Sequence, residues 1–397
     1  MDAQAQRHIV IENGAQGVVP PRPSTCSTLA VTGSAKGTIG ARTFRCVCGR
    51  PVFFRNSVCL ACQTPLGYEP ELGEVCALRP AQEPDRWQLE RDTSVDAKVY
   101  RRCGNLESPA GCNWLIAVPP EGEPPQLCIS CGLNRTIPDL SIPENQVKWG
   151  RIEIAKRRLI SSLVRLGLPI ISRAANPQNG LGFDFLASPA GGSPVLTGHS
   201  DGLITLNIDE ADDATREQIR QQLHEPYRTL LGHLRHEIGH FYWDQLIGGT
   251  ESITEFRKIF GDEQQDYAAA LQAHYSQGPP PDWQAHYVSA YASSHPWEDW
   301  AETWAHYLHM TDTLETARRF GINDVQIEFE PFTPASLYGR NGTDFLEFLN
   351  FWAELAAVLN ELSRSMGLPD FYPFILSRDA VAKLHFVHTV IEDARPR

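Results

Sequence analysis

The sequence predicts an α+β fold: a mainly helical domain with a small antiparallel sheet, preceded by a compact cysteine-rich module. Three observations carry this expectation. Eight of the ten Cys fall in two sets before residue 132. From Glu144 onward, stretches with apolar residues at helical spacing dominate. Only two stretches there, 181–186 and 202–208, have strand composition.

Length and composition bound the problem. A chain of 397 residues can bury a large core and hold two or three domains. With 42% hydrophobic and 21% charged residues it reads as an ordinary globular protein. Residues 1–150 balance at 15 Lys+Arg to 15 Asp+Glu, so the whole net charge of −13 falls on residues 151–397. An acidic C-terminal part argues against nucleic acid, because phosphate binding needs a basic face. No apolar run approaches the roughly 18–20 residues of a membrane span. The first residues lack the basic-then-apolar design of a secretory signal. A reducing, cytoplasmic location is therefore expected, where cysteines serve better as metal ligands than as disulfides.

Taken in order, residues 1–40 are rich in Gly, Ala, Pro, Ser and Thr without periodicity, and are expected to be a disordered lead-in in which Cys26 has no role. The stretch R-C-V-C-G-R-P-V-F-F-R-N-S-V-C-L-A-C then brings Cys46 and Cys48 close in sequence to Cys59 and Cys62. Val52–Phe54 is a short strand between them and 55–57 a turn. Two such pairs on facing hairpin turns can offer four thiolates tetrahedrally. This resembles a zinc ribbon, although the first pair is C-x-C-G where ribbons have C-x-x-C-G. Cys76, in the acidic stretch 69–100, is left unassigned. Cys103, Cys112, Cys128 and Cys131 form a second set around a strand at 114–118, predicting a second structural zinc. Residues 41–137 thus read as a zinc-ribbon module with one or two structural zinc ions, a possible docking surface for a protein partner.

The domain over 144–397 begins with a helix from Glu144, whose stripe is Trp149, Ile152, Leu159, Leu163 and Leu166; Gly167 and Pro169 end it. In 202–208, Leu203, Thr205 and Asn207 alternate with Ile204, Leu206 and Ile208. That pattern fits either an edge strand able to pair with an extended peptide or a strand covering the core. A helical region follows from Glu210. A helix from Pro226 to about Ile247 buries Leu231, Leu234, Ile238 and Phe241. Further helices are expected over 345–366, with Trp352, Leu355, Leu359 and Leu362 as its stripe, and over 383–391, where His385 and His388 are structural.

The chemistry concentrates in G-H-L-R-H-E-I-G-H-F-Y-W-D, residues 232–244. His236 and His240, four apart on a helix, lie about 40° from each other around the axis and one turn apart. Both imidazoles can reach one Zn²⁺, with Glu237 placed as general base on a metal-activated water. His233 and Asp244 share that side of the helix. A catalytic zinc needs a third protein ligand. Asp244 fits poorly as one, because positions i, i+4 and i+8 do not converge on a single ion. It is either an outer acceptor for an imidazole N–H or a solvated charge. The block Y-A-S-S-H-P-W-E-D-W-A-E-T-W-A-H, 291–306, offers Glu298 and Glu302 one turn apart on a helix starting near Pro296.

That arrangement resembles the gluzincin metallopeptidases, and most closely the lethal-factor catalytic domain and the Pro-Pro endopeptidases. These carry E-x-x-A-E on the second helix and a Tyr seven residues before its first Glu. Glu298-Asp299-Trp300-Ala301-Glu302 and Tyr291 match. The resemblance implies a zincin-like fold, Glu298 as third ligand, Glu302 behind an imidazole, and Tyr291 as donor to the developing oxyanion. Over most of 44–310 the chain is also similar to a bacterial family of zinc-binding metallopeptidases with an N-terminal zinc ribbon. The Cys46–Cys62 ribbon, T-G-H at 197–199, E-A-D-D at 210–213, the 226–244 stretch, F-G-D-E at 260–263 and the Tyr291–Met310 block carry that likeness. The expected activity is zinc-dependent endoproteolysis of a protein or peptide. The alternatives are a catalytically silent zinc-ribbon interaction protein and a hydrolase of a non-protein amide.

Overall fold

The computed structural model describes residues 43–189, 195–222, 229–323 and 342–396. The expected lead-in 1–40, Cys26 and Pro226 lie outside them. The N-terminal part is a hairpin, β1 (Thr43–Arg45) with β2 (Pro51–Phe53), followed by a five-stranded antiparallel meander. Its strands are β3 (Leu66–Glu69), β4 (Glu74–Pro80), β5 (Trp87–Leu89), β6 (Val99–Arg102) and β7 (Leu115–Ala117). Sequence reading found β2 and β7 and passed over the strands between. These are three to seven residues long, and β4 buries four consecutive residues rather than alternate ones, so no period of two marks it. Cys76 sits on β4 in a small buried cluster with Leu78, Leu89, Tyr100 and Leu115.

A second sheet has the order β10-β11-β9-β8, built from β8 (Asn134–Thr136), β9 (Gly182–Leu186), β10 (Gly198–Ser200) and β11 (Leu203–Asn207). It corrects the expectation of an antiparallel sheet. β8/β9 and β9/β11 are parallel, and only β10/β11 is antiparallel. The cause is the long helix α1 (Pro143–Arg165), which crosses over between β8 and β9 and returns the chain in the same direction. β11 is also internal, flanked by β10 and β9, so it covers the core with Ile204 and Leu206 and is not an edge. β10 and β8 are the edge strands. β8 lies within the stretch read as the cysteine module yet pairs in this sheet, and its Arg135 forms an ion pair with Asp184 of β9.

The helical layer follows: α2 (Asp213–Gln222), α3 (Leu230–Leu246), α4 (Ile253–Phe260), α5 (Tyr267–Gln277), α6 (Trp283–His286), α7 (Pro296–Arg319), α8 (Gly342–Ser365) and α9 (Arg378–Ala394). Pro143 at the first turn opens α1, and Gly167, at φ +70°, lets the chain turn sharply after it. All five predicted stripe residues of α1 are buried. On α8 the stripe holds for Trp352 and Leu355 but fails at Leu362, which is exposed one turn before the helix ends. His388 is structural: its Nδ1 lies 2.8 Å from the Tyr307 hydroxyl.

Candidate metal centres and active site

In the N-terminal module the sulfurs of Cys46, Cys48, Cys59 and Cys62 lie within 4.8 Å of one another, as do those of Cys103, Cys112, Cys128 and Cys131. A tetrahedral ion about 2.3 Å from each sulfur would space them about 3.8 Å apart. Cys46–Cys62 at 3.5 Å, Cys48–Cys59 at 3.7 Å and Cys112–Cys128 at 3.7 Å fit that spacing. The tight C-x-C-G turn closes because Gly49 adopts φ +80° and donates its N–H to the Cys46 carbonyl at 2.8 Å. The Thr64 hydroxyl, 3.1 Å from Cys62, brings that thiol down to about 6. The eight residues between Cys103 and Cys112 are spanned by the β6–β7 pairing. Arg102 stands opposite Leu115, which brings Cys103 beside Trp114 and the end of the intervening loop.

Helix α3, which carries His236 and His240, is capped by Thr229, whose side chain accepts the Gly232 N–H. It buries Leu234, Ile238 and Phe241 on its core side. Gly239 permits a close crossing with α7: a Cβ there would meet the Ala301 Cα at 3.0 Å and the Trp304 Cβ at 3.2 Å. The Trp300 indole N–H locks the crossing by donating to the Gly239 carbonyl at 2.8 Å. His295 caps α7 by accepting the Trp297 N–H, with Pro296 at its first turn.

This crossing brings the predicted residues together. His236 Nε2 and His240 Nε2 are 3.2 Å apart; Glu298 Oε2 is 2.9 Å from the first and 3.5 Å from the second. A tetrahedral cation about 2.05 Å from such ligands would space them about 3.3 Å apart. All three residues are buried, so two imidazole lone pairs and a carboxylate oxygen face one another away from water. The donor set fits zinc. Glu302 supports the arrangement from behind: its Oε1 lies 2.8 Å from His236 Nδ1, and its Oε2 accepts from the Ser289 hydroxyl at 2.6 Å. Burial would raise the Glu302 carboxyl, but the His236 hydrogen bond and charge bring it down to about 2. A hydrogen bond at Nδ1 leaves Nε2 to face the cluster.

With this geometry in place, two comparisons bear on the chain. Residues 145–390 match the family described as "Putative zinc-binding metallo-peptidase", and residues 43–142 match a zinc-ribbon domain. The chain belongs to this zinc-binding metallo-peptidase family. Uncharacterized proteins of Mycobacterium tuberculosis and Mycobacterium bovis are 41% identical over 357 residues, which is 89% of this chain and 96% of each relative. No solved structure matches. Among the described residues, no helix is long and apolar enough to cross a membrane.

Within this metallo-peptidase chain the remaining predicted residues fall as follows. Glu237 is buried beside the cluster, with Oε1 at 3.1 Å from His233 Nε2. The Tyr291 ring centroid is 5.9 Å from that of His236. Burial first, then the charges of Glu298 and other neighbours, push the Tyr291 phenol well above its usual range, so it keeps its proton. Asp244 lies 3.9 Å from the His199 imidazole, and among the described residues the buried His240 Nδ1 has no hydrogen-bond partner. The helical rise carries Asp244 one turn past His240, toward the half-exposed end of the helix.

Sequence reasoning missed Tyr267 of α5, whose hydroxyl donates to Glu298 Oε1 at 2.6 Å. It stands 31 residues before Glu298 on a separate helix, so no spacing rule connects the two. It also missed His199 on β10, whose ring stacks 6.3 Å from that of His240. The G-H-L-R-H stretch did carry a signal for His233, because i and i+4 place it on the face of Glu237.

Proposed function

We propose that this chain is a zinc-dependent endopeptidase of gluzincin type, with a zincin-like domain over 144–397 and a zinc-ribbon module over 41–137. The observation that carries the reading is the convergence of His236, His240 and Glu298 on one ion-sized spacing beside the Glu237 carboxylate. His236, His240 and Glu298 would hold the catalytic zinc, and the two cysteine sets would hold structural ones. Zinc bound there would supply Lewis acidity, lowering the pKa of water from 15.7 toward about 7 and polarising the scissile carbonyl.

The chain's own residues do the rest. Glu237 takes the proton of the attacking water and returns it to the leaving amine. Tyr291, kept protonated by its surroundings, donates to the developing oxyanion. Glu302 and Tyr267 hold His236 and Glu298 in place. The thiolate-rich module fits a reducing, cytoplasmic compartment and could dock a protein partner. A peptide library incubated with the zinc-loaded protein tests this reading. Cleavage is expected from the wild type and none from Glu237→Gln at equal zinc content; undiminished cleavage by that variant would overturn the assignment of the base.

A further inference from the structure

We infer that Glu210 and His233 form a positioning pair for Glu237, in which the His233 ring, anchored by Glu210, fixes the orientation of the Glu237 carboxylate. The inference deepens the peptidase reading and rests on Glu237 being its base. Three residues that the peptidase reading leaves without a role, Thr197 of T-G-H, Glu210 of E-A-D-D and His233 of G-H-L-R-H, meet in one part-buried chain of contacts. Thr197 donates its hydroxyl to Glu210 Oε1, and it accepts the Asn207 N–H at 3.1 Å. Glu210 Oε2 lies 2.6 Å from His233 Nδ1, and His233 Nε2 lies 3.1 Å from Glu237 Oε1. Glu210 itself is held in the short 3₁₀ turn Ile208–Ala211, whose backbone binds Arg216.

The two ring nitrogens of His233 thus face one carboxylate each, Glu210 on one side and Glu237 on the other. The consequence for Glu237 is geometric. One oxygen lies 3.1 Å from the His233 ring, and the carboxylate cannot swing about its last torsion without giving up that close approach. A base so fixed keeps its second oxygen available at one place.

The test has two independent readouts. In a cleavage assay with a peptide that the wild type cuts, His233→Ala is expected to lower kcat about 10–100-fold at unchanged KM and zinc content. His233→Gln, whose amide can donate to Glu237, should recover part of that loss, and His233→Ala/Glu210→Gln should be no worse than His233→Ala. In crystal structures, the Glu237 carboxylate is expected to hold one orientation in the wild type and to take others in His233→Ala and Glu210→Gln. An unchanged kcat in His233→Ala, or an unmoved Glu237 carboxylate in both variants, overturns the pair. If His233→Ala fails to fold, His233→Gln and Glu210→Gln decide. If the wild type cuts no peptide, the peptidase reading fails while the crystal structures still test the pair.

Discussion

Two tyrosines approach the candidate site from different elements, and their side chains do different things. Tyr267 donates to the Glu298 oxygen that faces away from the imidazole cluster, so its loss should act on ion binding. Tyr267→Phe is expected to weaken retention of the most labile zinc by about 10–100-fold, measured by competition with a chelator. Tyr291 keeps its proton and sits beside His236, so its loss should act on turnover. Tyr291→Phe is expected to lower kcat about 100–1,000-fold with zinc retained. Equal effects of the two variants on both measurements would mean that the roles are not divided this way. Only Tyr291 was legible in the sequence, through its distance from Glu298 and a family resemblance. Tyr267 acts across the gap between two helices, which no local spacing encodes.

At the level of elements, the site is the crossing of α3 and α7. Each helix holds half of it, and the halves meet because Gly239 has no side chain at the point of closest approach. The strip of Ala301, Trp304 and Leu308 that faces this crossing is buried throughout. Gly239→Val should wedge the helices apart. We expect about 1–3 kcal/mol of destabilisation by overpacking, together with weaker metal binding at His236, His240 and Glu298 but not at the cysteine sets. Metal content and a melting curve check this; full zinc occupancy in a folded variant would show that the crossing distance does not control the site. The glycine was visible as the fourth residue of H-E-I-G-H, but its function as a contact surface depends on which residue of α7 lies opposite.

For the whole molecule, two buried neutral histidines contribute to the response to acid. Burial lowers His306 and His388 from 6.5 to about 4 each, with the neighbouring charges of His385 and Arg395 adding to the effect at His388. A depressed folded value means that the unfolded chain binds more protons between about pH 6.5 and 4. Their contribution to stability is therefore full above 6.5 and is lost as pH falls through 4. Each histidine steepens that loss by about 1.4 kcal/mol per pH unit inside the window. Urea unfolding across this range should show the slope, and replacing His388 by an apolar ring should flatten it. A slope unaltered by His388→Phe would exclude this source.

The sequence by itself determined the residues that can bind metal and the helices that carry most of them. Four cysteines at knuckle spacing, two histidines one helical turn apart and the apolar stripe of α1 are local patterns, because covalent spacing and the 3.6-residue turn dictate which side chains are neighbours. The tertiary structure alone decided the rest. The parallel pairing of the second sheet depends on where α1 sets the chain down. The placing of Asp244 opposite His199 depends on how β10 crosses the end of α3. The contacts of Tyr267 with Glu298 and of Glu210 with His233 join residues 31 and 23 positions apart. Such contacts are products of packing between elements, and no periodicity along the chain records them.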